Sequence, residues 1–149
     1  MSNYQISSVN EGFRYLEHIT DAYIETCGHS LSEAFDYAGR ALVNLMFDIG
    51  SVNGQIPITI HTEGSDEIEL LYNWLEKVLL VVLIEGQVMS KFKVRIYPNS
   101  KYVLEARAMT ELIDTLKHGY RTEVKGITYH EMEVTQCNDL VRTRFIVDL

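Results

Sequence analysis

The sequence predicts an α+β fold: a two-layer sandwich, a mostly antiparallel sheet with two long helices on one face. Three observations lead there. Leu31, Ala34, Phe35, Ala38, Leu42, Leu45 and Met46 recur at helical spacing on one stripe. A second block, Leu70, Leu71, Trp74, Leu75, Val78, Leu79, Val82 and Leu83, does the same with a broader apolar face. Between and around them lie about half a dozen short segments whose apolar residues alternate, the period of a half-buried strand.

The 149 residues fit one domain with a substantial core. Hydrophobic residues at 46% and charged residues at 23% are ordinary for a globular chain. Thirteen basic residues against twenty-one acidic ones leave a net charge of −8. That excludes a protein whose main work is gripping phosphate backbones, which needs a basic surface, so no strong direct nucleic-acid binding is expected. Cys27 and Cys137 are far apart and form no CxxC pair, which suits buried free thiols in a reducing compartment. No basic-then-apolar leader opens the chain, and the run from Val78 to Ile84 is too short to span a bilayer. A soluble, cytoplasmic protein without membrane partners is expected.

Taken in order, residues 1–12 are polar and form a loose lead-in. Phe13 to Leu16 predicts a short strand, Glu17 to Asp21 a polar loop, and Ala22 to Cys27 a strand stopped by Gly28. Ser30-Leu31-Ser32-Glu33 has the S-x-x-E form of a capping box, so the first helix starts after Ser30 and is expected to run to Gly50. Ile56, Ile58 and Ile60 alternate with Pro57, Thr59 and His61, a half-exposed strand with a solvated His61 on its outer face. Pro57, lacking an amide donor, belongs near the strand start or on an edge. Gly64-Ser65-Asp66 turns the chain and caps the second helix, although Val81 to Ile84 also fits a strand.

Lys91, Lys93 and Arg95 alternate with Phe92, Val94 and Ile96, giving a strand with one buried and one basic face. Pro98-Asn99-Ser100 turns it into a second strand, Tyr102 to Met109, so the pair forms a hairpin. The basic stripe is a solvated face or a resting place for an acidic partner or RNA. Glu111 to Tyr120 reads as a connector. A strand follows from Glu123 to His130, with Lys125, Ile127 and Tyr129 on one side. On the residues alone Lys125 is an edge-strand lysine kept in water to block sheet pairing. Val141 to Leu149 is the final strand, with Val141, Thr143, Phe145 and Val147 on one face. No repeat, low-complexity stretch or second domain is evident.

Val124-Lys125-Gly126-Ile127-Thr128-Tyr129-His130 resembles the archease signature V-K-A-[VI]-T-Y-H, with Gly126 in place of alanine. Phe13 to Asp21 resembles the archease opening, aromatic-x-x-[LI]-[DE]-H-T-A-D. His18 and Asp21 are in place, and Ile19 and Thr20 depart from threonine and alanine. Asp66, Leu70, Leu71, Trp74 and Leu75 match a D-x-x-x-L-L-x-x-[WF]-L block, read as cap and core. Phe145-Ile146-Val147-Asp148-Leu149 is similar to the archease terminus, an apolar run, an aspartate and one apolar residue. The resemblance spans essentially the whole chain.

The resemblance implies an accessory protein that activates the RtcB-type RNA ligase. That ligase joins cyclic-phosphate and 5′-hydroxyl ends in tRNA splicing and RNA repair, and the accessory protein promotes its guanylylation with GTP and its repeated turnover. Asp21, Lys125 and Asp148 are the implied activation residues. Carboxylates are hard oxygen donors suited to Ca²⁺ or Mg²⁺. Two of them repel at close range unless a cation or a lysine lies between them. Asp21, Asp148 and a nearby backbone oxygen, assigned to Leu149, are the candidate divalent-cation ligands, with Lys125 beside them. His18 and His130 are candidate supporting residues. A transient contact with the ligase is expected. A chaperone-like modulator of nucleic-acid-modifying enzymes is the alternative. The sequence has no G-x-S-x-G, Walker loop, dinucleotide fingerprint or HExxH, which fits a protein that assists chemistry done elsewhere and is no enzyme itself.

Overall fold

A computed structural model describes residues 11–16 and 21–149, apart from the side chain of Cys137. The expected lead-in and most of the loop at 17–20, His18 included, lie outside the described residues. The elements are β1 (Gly12–Leu16), β2 (Ala22–Gly28), α1 (Leu31–Met46), β3 (Ile56–Gly64), α2 (Glu67–Leu83), β4 (Gln87–Met89), β5 (Lys93–Pro98), β6 (Tyr102–Leu112), α3 (Thr115–His118), β7 (Gly126–Cys137) and β8 (Leu140–Asp148).

The α+β class and the antiparallel strands are as expected, but the strands divide between two sheets. One has the order β1-β2-β8-β7; the other has β3-β6-β4, with β5 also paired to β6. Both long helices touch both sheets. α1 packs on β1, β2 and β8 and also on β5, while α2 packs on β3, β4 and β6 and also on β7. The core fills this space. Phe35, Leu42, Leu70, Trp74, Leu104 and Phe145 are fully buried in one cluster. The Trp74 indole N–H donates to the Phe35 carbonyl at 2.8 Å, so the large ring is buried without an orphaned donor.

A repeat is present after all, and it organises the fold. β2 ends on Gly28 and β3 on Gly64. Two residues on stands an N-cap, Ser30 or Asp66, whose side-chain oxygen accepts the N–H of Glu33 (3.1 Å) or Glu69 (2.8 Å). Each glutamate reaches back to the N–H of the residue before the cap, His29 at 3.2 Å and Ser65 at 3.0 Å. A Cβ on Gly28 would lie 2.6 Å from the Ala34 nitrogen, and one on Gly64 2.4 Å from the Leu70 nitrogen. Each strand end therefore rests on the first turn of its own helix. β2 pairs with β8 of the β7–β8 hairpin, and β3 pairs with β6 of the β5–β6 hairpin. Each helix then reaches over to the other copy's hairpin. On one side Ser32 Oγ and Asp36 Oδ1 accept the N–H groups of Ile96 and Phe92. On the other, Tyr72 of α2 stacks on Tyr129 of β7, ring centroids 4.0 Å apart. The sequence hides this repeat because the shared signature, G-x-[SD]-x-x-E, is only six residues long.

Smaller differences have local causes. α1 stops at Met46, short of Gly50, because the Arg121 N–H takes the Met46 carbonyl and the Asp48 N–H goes to His118. Asp48 then caps a 3-10 turn over Ile49–Ser51. Val81 to Leu83 are helical, not strand. β4 was not expected, and it is only three residues long. The expected connector at 111–120 contains the end of β6 and the short α3. There Glu111 accepts from Lys117, from buried His118 Nε2 (2.9 Å) and from the Asn53 N–H (2.9 Å). Those three donors, Lys117 first, hold its carboxyl at about 2. Cys27 is half-exposed, not buried as expected.

Candidate functional site

The β2–β8 ladder ends with Ala22 opposite Val147, which leaves Asp21 and Asp148 as the next residue along each chain segment. Directly opposed residues of an antiparallel pair project to the same face. Ala22, Ile24, Phe145 and Val147 are fully buried toward the helices, which assigns Asp21 and Asp148 to the face away from them. On the far side of β8, Asp148 pairs with Gly126 of β7, and the Lys125 N–H donates to the Asp148 carbonyl at 2.7 Å. The start of β2, the end of β8 and the lysine signature thus lie at one end of one sheet.

The lysine differs from expectation in detail. β7 begins at Gly126, so Lys125 precedes the strand, and its side chain is exposed. β7 is the sheet edge, as the edge-lysine reading requires. Asp148 is exposed and Asp21 half-exposed. Leu149 packs partly against the core and so fixes the backbone beside Asp148. Gly126 has open space where a Cβ would stand. The alanine common in the resembling signature would therefore fit here.

His130 is not in this row. The β7–β8 register breaks between Thr128 and Glu133, with Glu131 at a φ of 56°. His130 lies in that bulge, three-quarters exposed, its N–H donating to Thr128 Oγ1 and its ring 3.9 Å from Glu131.

The same outer face carries a row of charges further along the strands. Glu25, 4% exposed, accepts from Arg14 Nε at 2.6 Å and from Arg144 Nε at 2.7 Å. Burial pushes the Glu25 carboxyl up, but its two arginine partners outweigh that and hold it below the usual range. The row is structural: both carboxylate oxygens are already committed to guanidinium groups.

A third group escaped sequence reasoning. The ligand atoms of Glu11, His29 and Glu33 lie within 4.8 Å of one another at the start of α1. Their mutual hydrogen bond holds the Glu11 carboxyl below and the Glu33 carboxyl above the usual range. Only the placement of Gly12 opposite Cys27 brings Glu11 there, and no local motif signals it.

Asp148, exposed, and Asp21, half-exposed, offer oxygen donors of the kind a hard cation takes. The donor set at Asp21 and Asp148 therefore fits a divalent ion with an incomplete protein shell, leaving positions for water or for oxygens of another molecule. Among the described residues, no helix is long and apolar enough to cross a membrane.

Residues 13–149 match the model of the Archease protein family (MTH1598/TM1083). The chain is 37% identical to the protein archease of Pyrococcus furiosus, over 85% of this chain and 90% of that one. It is 36% identical to the protein archease of Sulfolobus acidocaldarius, over 92% and 98%. Protein 1598 of Methanobacterium thermoautotrophicum, solved in solution, superposes with a TM-score of 0.81 at 32% identity, covering 93% and 99%. The fold is also that of a Thermotoga maritima archease described as a "possible chaperone", with a TM-score of 0.60, 16% identity, and 90% and 94% coverage. With the family match running from the first strand to the last residue, through both aspartates and the lysine between them, this chain belongs to the archease family.

Proposed function

We propose that the protein activates an RtcB-type RNA ligase in tRNA splicing and RNA repair, promoting guanylylation of the ligase with GTP and its repeated turnover. The site is the end of the β1-β2-β8-β7 sheet. The observation that supports it most is that the β2–β8 ladder ends one residue short of both aspartates, at Ala22 and Val147, and that the Lys125 N–H donates to the Asp148 carbonyl.

Asp21 and Asp148, with a backbone oxygen at Leu149, hold the divalent ion. When bound, Mg²⁺ or Ca²⁺ supplies positive charge to phosphate oxygens of the ligase's nucleotide. Lys125, exposed beside the carboxylates, adds a second positive charge on a flexible stem. Its amide holds the Asp148 backbone in place, so the carboxylate is positioned before any partner arrives. The contribution is electrostatic positioning of a reaction whose nucleophile belongs to the ligase. A polar, exposed site on a protein of net charge −8 suits a brief contact.

The test is a guanylylation time course with ligase, GTP and a divalent ion, adding this protein at substoichiometric amounts. Acceleration with turnover is expected. No acceleration would sink the proposal.

A chaperone-like role has one observation in its favour. The end of α2 leaves Leu80, Leu83 and Ile84 exposed, Ile84 at 76%. That role predicts suppression of client aggregation by D21A and D148A variants as well as by the native chain.

A further inference from the structure

The copy of the repeat without the aspartates carries a pocket of its own. Seven residues before Gly28 stands Asp21; seven before Gly64 stands Pro57, paired with Met109. At this second position an open pocket of about 1070 Å³ lies between the outer face of β3, β5 and β6 and the segment 52–55. Lys91, Lys93 and Arg107 line it, together with Asn53, Gln55 and Thr59, and no carboxylate does. In a chain with twenty-one acidic residues against thirteen basic ones, that segregation is a feature of this pocket and not of the composition.

Lys93 and Arg107 are direct cross-strand partners. Like charges placed directly opposite destabilise a sheet. Among the described residues no carboxylate lies within ion-pairing distance of Lys91, Lys93 or Arg107. Elsewhere on the surface Lys117, Arg40 and Arg14 are each neutralised by a carboxylate. At the next pair on the same sheet face Arg95 stands opposite Glu105, so like charges do not face each other there. Among the described residues paired across β5 and β6, only Lys93 and Arg107 are like charges directly opposed, and both line the pocket.

The pocket wall is also built. The Asn53 N–H is held by Glu111 at 2.9 Å. Gly54 lies so close to β6 that a Cβ there would be 2.1 Å from the Met109 carbonyl oxygen.

We propose that this pocket binds a small molecule carrying a chain of linked phosphates, with Lys93 and Arg107 clasping one phosphate across the strand pair and Lys91 the next. Arg107 offers a planar fork and the lysines point charges, a combination suited to adjacent phosphate groups. Asn53, Gln55 and Thr59 supply neutral donors along the wall. The volume exceeds what one phosphate ion would fill. No exposed aromatic ring lines the pocket, so recognition rests on the phosphates and not on a stacked base. The net charge of −8 disfavours a long RNA backbone as occupant, since most of its contacts would fall outside the pocket.

The test is calorimetric titration of the full chain, without divalent ions and without ligase, using inorganic tripolyphosphate, GTP, ATP and a single-stranded RNA of about twenty nucleotides. One-to-one binding of tripolyphosphate is expected, weakened at least tenfold by R107Q or K93Q and weakened by added salt. K101Q, outside the pocket, and D21N, in the other copy, should bind as the native chain does. Circular dichroism confirms that each variant is folded. Tighter binding of GTP or ATP than of tripolyphosphate identifies a nucleotide as the source of the phosphates. Equal binding shows that the phosphate chain suffices. Binding unaltered by R107Q and K93Q, or binding of the RNA alone, overturns the proposal, as does no phosphate binding at low salt. Because neither ligase nor metal is present, failure here leaves the activation reading standing, and the converse also holds.

Discussion

The two copies of the repeat place opposite chemistry at equivalent positions. In the β1-β2-β8-β7 sheet the row beyond the buried strand ends is Asp21 and Asp148, with Lys125 at the edge. In the other sheet the corresponding row is Pro57 and Met109, flanked by Arg107, Lys93 and Lys91. The scaffold under both is the same: strand, glycine, capped helix and a returning hairpin. What differs is a handful of outward-facing residues, which cost the core nothing to change because alternate positions of a strand face solvent. The proposed sites therefore have opposite charge, a cation site in one copy and an anion pocket in the other, while the glycines and caps that packing requires are present in both.

That comparison can be broken most severely at the aspartates. D21N or D148N should lower stimulation of ligase guanylylation by on the order of a hundredfold or more, as when a charge-stabilising group is removed, with the fold intact by circular dichroism. The equivalent change in the other copy, M109N, should leave stimulation unaltered. If D21N stimulates fully, the acidic row has no part in activation.

The glycines probe the shared scaffold. Gly28→Ala and Gly64→Ala should each destabilise the protein by about 1–3 kcal/mol, because the added Cβ meets backbone of the first helical turn. Denaturant midpoints read this directly. A large loss for one glycine with none for the other would mean that the two turns are not equivalent. The caps give a smaller version of the same comparison. Ser30→Ala and Asp66→Ala should each cost about 1 kcal/mol, in step with each other.

The smallest effect is in acid. Glu111, held at about 2 by Lys117, the Asn53 amide and His118, contributes stability that is fully present above the ordinary carboxylate value. That stability is lost as pH falls toward 2. Glu25, also held low, acts in the same direction. E111Q should therefore flatten the fall in stability between about pH 4.5 and 2 relative to the native chain, measured by thermal unfolding across that range.

Much of this was legible in the sequence, for identifiable reasons. The two helices follow from stripes of Leu, Ala and Trp, and their starts from Ser30 and Asp66, since a side-chain cap is a local interaction. Strand alternation placed Phe145 and Val147 inward and Asp148 outward. That the ends of β2 and β8 nearest Asp21 and Asp148 lie side by side could not be read from spacing, because register between distant strands is a tertiary property. For the same reason the division into two sheets, the opposition of Lys93 and Arg107 and the Glu11–His29–Glu33 group could not be read from local pattern. Lys91, Lys93 and Arg95 were visible as a basic stripe, but only the partner strand reveals that Arg107 stands opposite one member of it and Glu105 opposite another. The strand reading that includes Lys125 rests on Val124, Thr128 and Tyr129, which favour pleated geometry. Val124 is instead buried ahead of the strand, and the ladder begins at Gly126.

The cation site is tested most directly by titrating Mg²⁺ and Ca²⁺ into the isolated native chain, D21N and D148N, with calorimetric readout. The expected result is one saturable site in the native chain that is lost in both variants and unaffected by R107Q. Saturable binding that survives in D21N and D148N alike, or no divalent binding by the native chain, would contradict a pocket made where the two aspartates meet.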